Sequence, residues 1–392
     1  MFGFHVERDW AAGKRPRLGN HVRAARTFYE QTLPDRPFAF QVFVAGPRTM
    51  KFTVDLEEAQ DLKRTLQELN AAGKPTWGIA HGTYQDVPWP KQDKSGKYEY
   101  RANFKWVLKW IRIELRRTAS AGLAGLVLHL HTTPPEEVLR VLPFLLPSVP
   151  PDQGMPADVS FVHDVTTADE SAVTGGSEEE SAHEITQLSK WNCHFRNEGS
   201  VRDGTPQPNC VRLYLETPAV LPKNSHYESP QKLARLFRGI REQVDPFLLY
   251  YGLCIDTAHI WASGVDISSL EKASAWLAEL EKVHSIIPPH AIVFHLNDNK
   301  HPLGSGKDHH APVFHGEVWG QYIDNREKSG LVAFLDYARR YNVPTILERK
   351  GWEPAEAPRD IFPGEAAAQQ FDPLTTKQAL NADLENLARL GC

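Results

Sequence analysis

Short apolar segments recur along the chain, and the stretches between them carry the three- and four-residue spacing of amphipathic helices. One apolar stripe lies in residues 54–72, after which Gly73 and Pro75 supply a stop signal. A second stripe predicts a helix over residues 104–119. Further helical patterns follow Pro230, Ile267 and Ser329, and a last one closes the chain near Leu390.

Eight apolar segments, each followed by a helix, predict an α/β fold of the (β/α)8 TIM-barrel type. A doubly wound open sheet shows the same alternation of strand and helix. We favour the closed barrel, because candidate ligands end six of the strands and only closure brings six strand ends to one point. The predicted strands are residues 2–6, 38–44, 76–80, 126–130, 212–216, 251–255, 292–296 and 344–348.

Residues 151–210 interrupt the pattern between the fourth and fifth strand–helix units. The segment is polar, acidic and poor in core-forming residues, which is typical of a mobile insertion within one barrel domain of residues 1–392. Its first part, 151–189, holds nine Asp or Glu residues and no Lys or Arg. The net charge of the chain changes from −5 to +4 without those nine. The rest of the chain is therefore compatible with a polyanionic partner.

Composition narrows the class of protein without indicating a reaction. The chain has 392 residues with 41% hydrophobic content, enough for a large buried core. No secretory signal and no apolar stretch of membrane-spanning length is predicted. The absence of C-x-x-C spacing argues against a zinc finger or a disulfide scaffold and favours a reducing, intracellular compartment. The four cysteines are Cys193, Cys210, Cys254 and Cys392.

Histidines and carboxylates end most of the apolar segments, and these are ligands that zinc or manganese accepts. Taken singly, each is more often a satisfied core or loop residue. Their recurrence at the same end of many strands favours a metal site, because carboxylates clustered without cations would repel each other. Asp256 is expected to end a strand and His259 to lie in the loop that follows, so that the two side chains can point to different metals. The nine candidate ligands are His81, His129, Glu216, Asp256, His259, His295, Asp308, His310 and Glu348.

Six motifs stand out, and four of them contain candidate ligands: Leu-Tyr-Leu-Glu-Thr at 213–217, Cys-Ile-Asp-Thr-Ala-His at 254–259, Phe-His-Leu-Asn-Asp-Asn-Lys at 294–300 and Asp-His-His at 308–310. The other two are Ala-Ser-Gly-Val-Asp at 262–266 and Gly-Ser at 304–305. With these six motifs the chain resembles the endonuclease IV family of apurinic/apyrimidinic (AP) endonucleases, some of which large DNA viruses encode. The resemblance runs from about residue 4 to residue 390, with 151–210 outside it. It implies a barrel of the xylose-isomerase-like superfamily that holds three zinc ions, with manganese as an alternative at one site.

The resemblance also implies an activity and a role for each candidate ligand. The reaction is hydrolysis of the phosphodiester 5′ to an abasic site in double-stranded DNA, which leaves a 3′-hydroxyl and a 5′-deoxyribose phosphate for base excision repair. Glu216, Asp256 and Glu348 would be the catalytic carboxylates. The implied zinc ligands are His81, His129 and Glu216 for the first ion, Glu216, Asp256, His295 and Glu348 for the second, and His259, Asp308 and His310 for the third.

Two further positions, Arg48 and Tyr84, match DNA contacts of the family; the alternatives are a surface arginine and a packed tyrosine at the barrel rim. His131 competes with His129, because Leu130 and His131 stand where many relatives have Pro-Gly. We favour His129 as the ligand. The expected protein is a monomer of the nucleus or cytoplasm, or of the virion if the chain is viral.

Two other functions stay open. A divalent-metal sugar isomerase or epimerase shares a related barrel and a Glu/Asp/His/Glu cluster, but it predicts one or two metals. His259, Asp308 and His310 are surplus to that chemistry. A non-catalytic DNA-binding barrel predicts missing ligands, whereas all nine positions are filled. A count of about three zinc ions per chain would favour the nuclease.

Overall fold

The computed structural model describes residues 1–8, 16–46, 52–84, 87–93, 95–145, 211–348 and 374–391. The predicted insertion at 151–210 and Arg48 lie outside these described residues. Within the described part of the chain, no helix combines the length and the apolar character needed to cross a membrane.

Eight parallel strands close into a barrel, which confirms the predicted fold class and excludes the open sheet. Each strand pairs with its neighbours in sequence, and the last strand pairs with the first, where Phe2 lies opposite Thr345. Closure leaves none of these eight strands with an unpaired edge. The barrel strands are β1 (Phe2–His5), β2 (Phe38–Phe43), β3 (Thr76–His81), β4 (Gly125–His129), β5 (Arg212–Glu216), β6 (Tyr251–Asp256), β7 (Ile292–His295) and β8 (Thr345–Leu347).

Helices follow the strands and cover the barrel from outside, as the apolar stripes predict. Their starts carry ordinary capping chemistry; for example, the Asp55 carboxylate accepts a hydrogen bond from the Glu58 amide, and the Ser229 hydroxyl accepts one from the Lys232 amide in the same way. The described helices are α1 (Leu18–Thr32), α2 (Leu56–Ala71), α3 (Phe104–Ser120), α4 (Pro135–Leu145), α5 (Pro230–Gln243), α6 (Thr257–Ala262), α7 (Leu270–Lys282), α8 (Gly330–Tyr341) and α9 (Leu374–Arg389).

Three of the described helices were not located by a helical pattern in the sequence. Helix α1 has no side-chain hydrogen bond at its N-cap, and α4 contains Pro143, a residue that normally argues against a helix interior. Helix α6 corrects the expectation of a loop after Asp256. The Asp256 side chain accepts a hydrogen bond from the His259 amide at 3.1 Å and so starts a helix directly at the end of β6.

Two short antiparallel hairpins lie in the connections that leave β3 and β7. The first pairs Lys91–Gln92 with Tyr98–Glu99, and the second pairs Asp298–Asn299 with His310–Ala311. The carboxylate of Asp298 accepts backbone hydrogen bonds from Asn299, Gly316 and Val318. Burial raises the pKa of Asp298 to about 7. Asp298 therefore fixes the connection that carries two of the predicted ligands.

Alternate residues of the barrel strands point inward and form two layers, because side chains on a strand repeat with a period of two. The apolar layer comprises Ala39, Ile79, Val127, Tyr214, Cys254, Val293 and Ile346, which pack in one buried cluster. The polar layer stands two residues further along each strand, at the carboxyl end of the barrel. It comprises His5, Gln41, His81, His129, Glu216, Asp256, His295 and Glu348, which are all buried or half-buried.

Candidate metal centre

The nine predicted ligands converge at the carboxyl end of the barrel. Six of them belong to the polar layer, where strand pairing sets His129 beside Glu216 and Asp256 beside His295. The other three come from the connections: His259 lies on α6, His310 lies in the second hairpin, and Asp308 lies two residues before it. Donor atoms within 4.8 Å of one another form overlapping groups that could hold metal ions.

The first group consists of His81, His129 and Glu216. The Nε2 atoms of His81 and His129 lie 3.3 and 2.8 Å from Glu216 Oε2 and 3.2 Å from each other. Nδ1 of His81 donates a hydrogen bond to the carbonyl of Gly82 at 2.7 Å. That bond fixes the tautomer and leaves the Nε2 lone pair facing the group.

The second group consists of Glu216, Asp256, His295 and Glu348. Nδ1 of His295 lies 2.8 Å from Glu216 Oε1 and 3.1 Å from Glu348 Oε2. Glu216 therefore presents one carboxylate oxygen to the first group and the other oxygen to the second. A carboxylate in this position is suited to bridge two cations.

The third group lies beside the second and contains Asp256, His259 and His310, with Asp308 in contact. Asp308 Oδ1 lies 3.2 Å from His259 Nε2 and 2.9 Å from His310 Nε2. Nδ1 of His259 donates to the carbonyl of Thr217, and Nδ1 of His310 donates to the carbonyl of Glu348. Both rings are therefore held with Nε2 directed at the carboxylates.

These residues fit divalent cations, as two observations on the donor atoms show. The buried Nε2 atoms of His259 and His310 have no partner with hydrogen-bond geometry among the described residues. In the same part of the chain, the ion pairs of Glu216, Asp256 and Glu348 are all with histidines, although these three carboxylates are almost entirely buried. Buried carboxylates need a compensating charge, and a set of imidazoles and carboxylates is the donor set that zinc accepts.

The charges in the site are strongly coupled. Burial would raise the pKa of Glu216, but His129 and His295 outweigh burial and hold that pKa well below its usual value. Burial would lower the pKa of His310, but Asp308 outweighs it and raises that pKa to about 9. The pKa of His259 is likewise raised, against burial, by Asp256 and Asp308. Protons on His259 and His310 thus balance the carboxylates, and bound cations would replace those protons.

The other sequence-predicted site residues lie at the edge of the centre or outside it. The ring centroid of Tyr84 lies 4.9 Å from that of His81 and 5.4 Å from that of His129. Burial, followed by the charges of Glu348 and Glu216, raises the pKa of Tyr84 well above its usual value. His131 is exposed, its ring centroid lies 6.3 Å from that of His129, and it belongs to none of the donor groups that the described residues form.

Sequence reasoning missed the polar residues that hold the predicted ligands in place. Asn297 Nδ2 donates to Asp256 at 2.6 Å and to Glu348 at 3.3 Å, while its Oδ1 accepts from the Glu348 amide. Gln41 contacts both His295 and Glu348. Cys254 lies near Glu216 and His295 as a further possible donor, but burial raises the pKa of its thiol far above neutrality. The one sequence feature that could have identified Gln41 is its position on β2, which the period of two along a strand places at the same level as the predicted ligands.

Fold and site together define a (β/α)8 barrel with a buried cluster of metal-type ligands at its carboxyl end. A family model described as a xylose isomerase-like TIM barrel matches residues 195–357. The chain is 33% identical over 309 residues to the "Probable AP endonuclease" of African swine fever virus (isolate Warthog/Namibia/Wart80/1980), which covers 79% of this chain and 78% of that protein. The chain belongs to the endonuclease IV family of AP endonucleases.

Other relatives and solved structures agree with this assignment. The "Probable endonuclease 4" of Haloarcula marismortui is 31% identical over 155 residues, 39% of this chain and 48% of that protein. A crystal structure described as AsfvAP:AG superposes with a TM-score of 0.68 at 29% identity and covers 100% of this chain and 98% of that one. Endonuclease IV from Thermus thermophilus shares the fold, with a TM-score of 0.53 at 19% identity over 98% of both chains.

Proposed function

We propose that this protein is a zinc-dependent AP endonuclease that hydrolyses the DNA phosphodiester 5′ to an abasic site in base excision repair. The products would be a 3′-hydroxyl and a 5′-deoxyribose phosphate. The observation that carries this proposal is the position of Glu216, whose two oxygens face two separate donor groups. The names of the viral and archaeal relatives support the same reaction.

Three zinc ions are the proposed cofactor, with manganese as an alternative at one site. Glu216 is the proposed bridging ligand. When bound, the cations would polarise an attacking water and stabilise the negative charge on the phosphate and on the departing oxygen. The proposed ligand sets are His81, His129 and Glu216; Glu216, Asp256, His295 and Glu348; and His259, Asp308 and His310.

The contributions of the chain itself are to orient the donor atoms and to exclude water from the core. Backbone carbonyls accept hydrogen bonds from Nδ1 of His81, His259 and His310, so that Nε2 of each ring faces the carboxylates and would present its lone pair to a bound cation. The catalytic carboxylates Glu216, Asp256 and Glu348 are all buried. A rigid cluster of this kind needs little reorganisation when charge develops on the phosphate.

We also propose that double-stranded DNA is the partner and that Arg48 and Tyr84 contact it. The support for Tyr84 is its position at the rim of the barrel, where its ring packs against His81 and His129. Aromatic side chains at such positions stack on bases or sugars. An abasic nucleotide lacks a stacked base, so swinging it out of the helix towards the centre costs less than for an intact nucleotide.

A sugar isomerase or epimerase is the second candidate, since it shares the barrel and a four-residue metal group. The third group argues against it, because one or two cations suffice for that chemistry and His259, Asp308 and His310 would have no role. The two classes of enzyme also differ in the size of the substrate, since a small sugar does not require contacts at the barrel rim.

The test is incubation of the protein and zinc with a labelled duplex that carries one tetrahydrofuran abasic analogue, beside the same duplex without the lesion. We expect one cut immediately 5′ to the analogue, with a 3′-hydroxyl that a polymerase extends. Intact DNA together with interconversion of aldoses and ketoses would establish the isomerase instead. Sedimentation of the protein would test the expected monomer, and its distribution between nucleus and cytoplasm would test the expected compartment.

A further inference from the structure

Gln41 is a fully buried glutamine in the polar layer, on β2, a strand that supplies none of the nine predicted ligands. Its side-chain amide lies between two proposed ligands of the second group. Gln41 Oε1 is 2.8 Å from Nε2 of His295, and Gln41 Nε2 is 2.5 Å from Oε1 of Glu348. A neutral amide is a poor ligand for zinc, so another role accounts better for this position.

The partners of Gln41 fix the orientation of its amide. An ionised Glu348 only accepts hydrogen bonds, so the NH2 group of Gln41 must face it. Oε1 of Gln41 then faces His295 and can only accept, so Nε2 of His295 carries the proton. Nδ1 of His295 faces Glu216 and Glu348. With the proton on Nε2, Nδ1 would present its lone pair to a bound cation.

Asn297 also holds Glu348 in place, through hydrogen bonds to its second carboxylate oxygen and to its backbone amide. Gln41 donates to Oε1 of Glu348, whereas Asn297 donates to Oε2 at 3.3 Å and accepts from the Glu348 backbone amide at 2.9 Å. Both carboxylate oxygens and the backbone of Glu348 are thereby oriented. Nδ1 of His5, the neighbour of Gln41 in the polar layer, lies 3.4 Å from the Gln41 amide nitrogen.

We propose that Gln41 is a positioning residue of the metal centre: it sets the tautomer of His295 and the orientation of Glu348, and so raises the affinity of the second donor group for its cation. The inference rests on the proposed metal-dependent function. Partners of this kind typically contribute about 10- to 100-fold to metal affinity or activity. Gln41 would act through two ligands at once.

The test compares Gln41→Met with the wild-type protein. Methionine has a similar length but cannot donate to Glu348, and its thioether sulfur is only a weak acceptor for His295. Zinc affinity is measured by competition with a chromophoric chelator, and metal content is measured by mass spectrometry. We expect one cation to bind about 10- to 100-fold more weakly, while the affinities of the other cations change little.

Thr345→Val is the matched control, since Thr345 is a buried polar residue at the opposite end of β8 from Glu348. Among the described residues, its hydroxyl bonds only to a nearby carbonyl, that of Val343. Zinc affinities of this variant should equal those of the wild type. An equal loss of zinc affinity in Thr345→Val would show that the effect of Gln41→Met reflects general packing, and would overturn the inference. Unchanged zinc affinity in Gln41→Met would also overturn it.

A second measurement decides the question if Gln41→Met does not fold. In zinc-loaded wild type with 15N-labelled histidine, the His295 ring should carry its proton on Nε2, and that proton should exchange slowly with water. A proton on Nδ1, or a rapidly exchanging Nε2 proton, would overturn the inference. Failure of the wild-type protein to bind any divalent cation would instead overturn the proposed function.

Discussion

The two layers inside the barrel lie two residues apart on the same strands, yet their chemistry is opposite. Val127 is followed by His129, and Tyr214 is followed by Glu216. The apolar layer has no charged side chain, whereas the polar layer contains three buried carboxylates and several imidazoles. One strand thus presents a hydrocarbon or aromatic group and then a metal-type ligand within about 7 Å of rise.

The difference separates stability from chemistry within one set of strands. Burial of the apolar layer stabilises the fold, since each large apolar side chain contributes about 1.5–3 kcal/mol. The charges of the polar layer cost free energy unless they are paired or bound to cations. Changes in the polar layer should therefore alter metal binding and cleavage, and changes in the apolar layer should alter unfolding.

The largest expected effect is that of Glu216→Gln in the polar layer. The change removes one charge from between two donor groups, and we expect cleavage of abasic-site DNA to fall by about a thousandfold or more. The metal-free protein should unfold at a lower temperature, because the low pKa of Glu216 means that its pairing with His129 and His295 outweighs the cost of its burial. The control is Glu271→Gln, an exposed site in the first turn of α7. Near-normal cleavage by Glu216→Gln would show that Glu216 is not a ligand.

Removal of metal is expected to have the next largest effect. Cations that bind only the folded protein stabilise it by about 4 kcal/mol when their free concentration is a thousandfold above the dissociation constant. A chelator should therefore lower the melting temperature, and added zinc should restore it. A melting temperature that is insensitive to the chelator, with the chelator shown to hold the metal, would contradict the assignment of the polar layer.

Glu114 is a buried carboxyl group on α3, outside the barrel interior, and it sharpens the comparison because it belongs to none of the donor groups that the described residues form. Burial raises the pKa of Glu114 to about 8. A raised carboxyl pKa means that stability is fully present below the unfolded-state pKa and is lost as pH rises towards the folded-state value. Glu114→Gln should therefore match the wild type near pH 4.5 and become more stable than the wild type by a few kcal/mol near pH 9. Chemical denaturation at both pH values measures this, and parallel pH curves would contradict it.

Gly125 lies in the barrel beside the ring of Tyr214, and its replacement tests the apolar layer. A Cβ at Gly125 would lie 2.4 Å from a Tyr214 ring atom and 2.6 Å from the Arg212 carbonyl oxygen. Gly125→Ala should therefore destabilise the protein by about 1–3 kcal/mol through overpacking, with no change in zinc stoichiometry. Gly320→Ala, where the nearest atom to a new Cβ is 3.7 Å away, is the control. If Gly125→Ala lost bound zinc without losing stability, the apolar and polar layers would not have the separate roles assigned to them.

The smallest expected effect is that of His131→Ala. His131 is exposed and outside the donor groups of the described residues, so its removal should leave the zinc count unchanged and cleavage within about twofold, as surface substitutions usually do. His129→Ala should lose one zinc ion. Metal analysis of the two variants side by side decides between them, and loss of zinc from the His131 variant alone would reverse our choice of ligand.

Local patterns in the sequence were sufficient to predict the barrel and the ends of its strands. Apolar runs that end in His or a carboxylate, such as those before His81 and Glu216, mark both a strand and the point where its polar residue emerges. Helices α2 and α3 were predicted because their apolar faces repeat at helical spacing. Helices α1 and α4 were expected only from the alternation of strands and helices, and no local pattern located them: α1 lacks a side-chain cap hydrogen bond and α4 contains a proline.

Only the tertiary structure determined which residues of the polar layer contact each other. The sequence places Gln41 and Glu348 307 residues apart, and nothing local indicates that a glutamine on β2 touches the end of β8. Closure of the barrel makes β1, β2 and β8 neighbours, and the shared inward direction of their side chains then puts that amide between two predicted ligands. Ligand types follow from residue identity and strand period, whereas tautomers, shared carboxylates and supporting amides depend on distances between strands that only the folded chain sets.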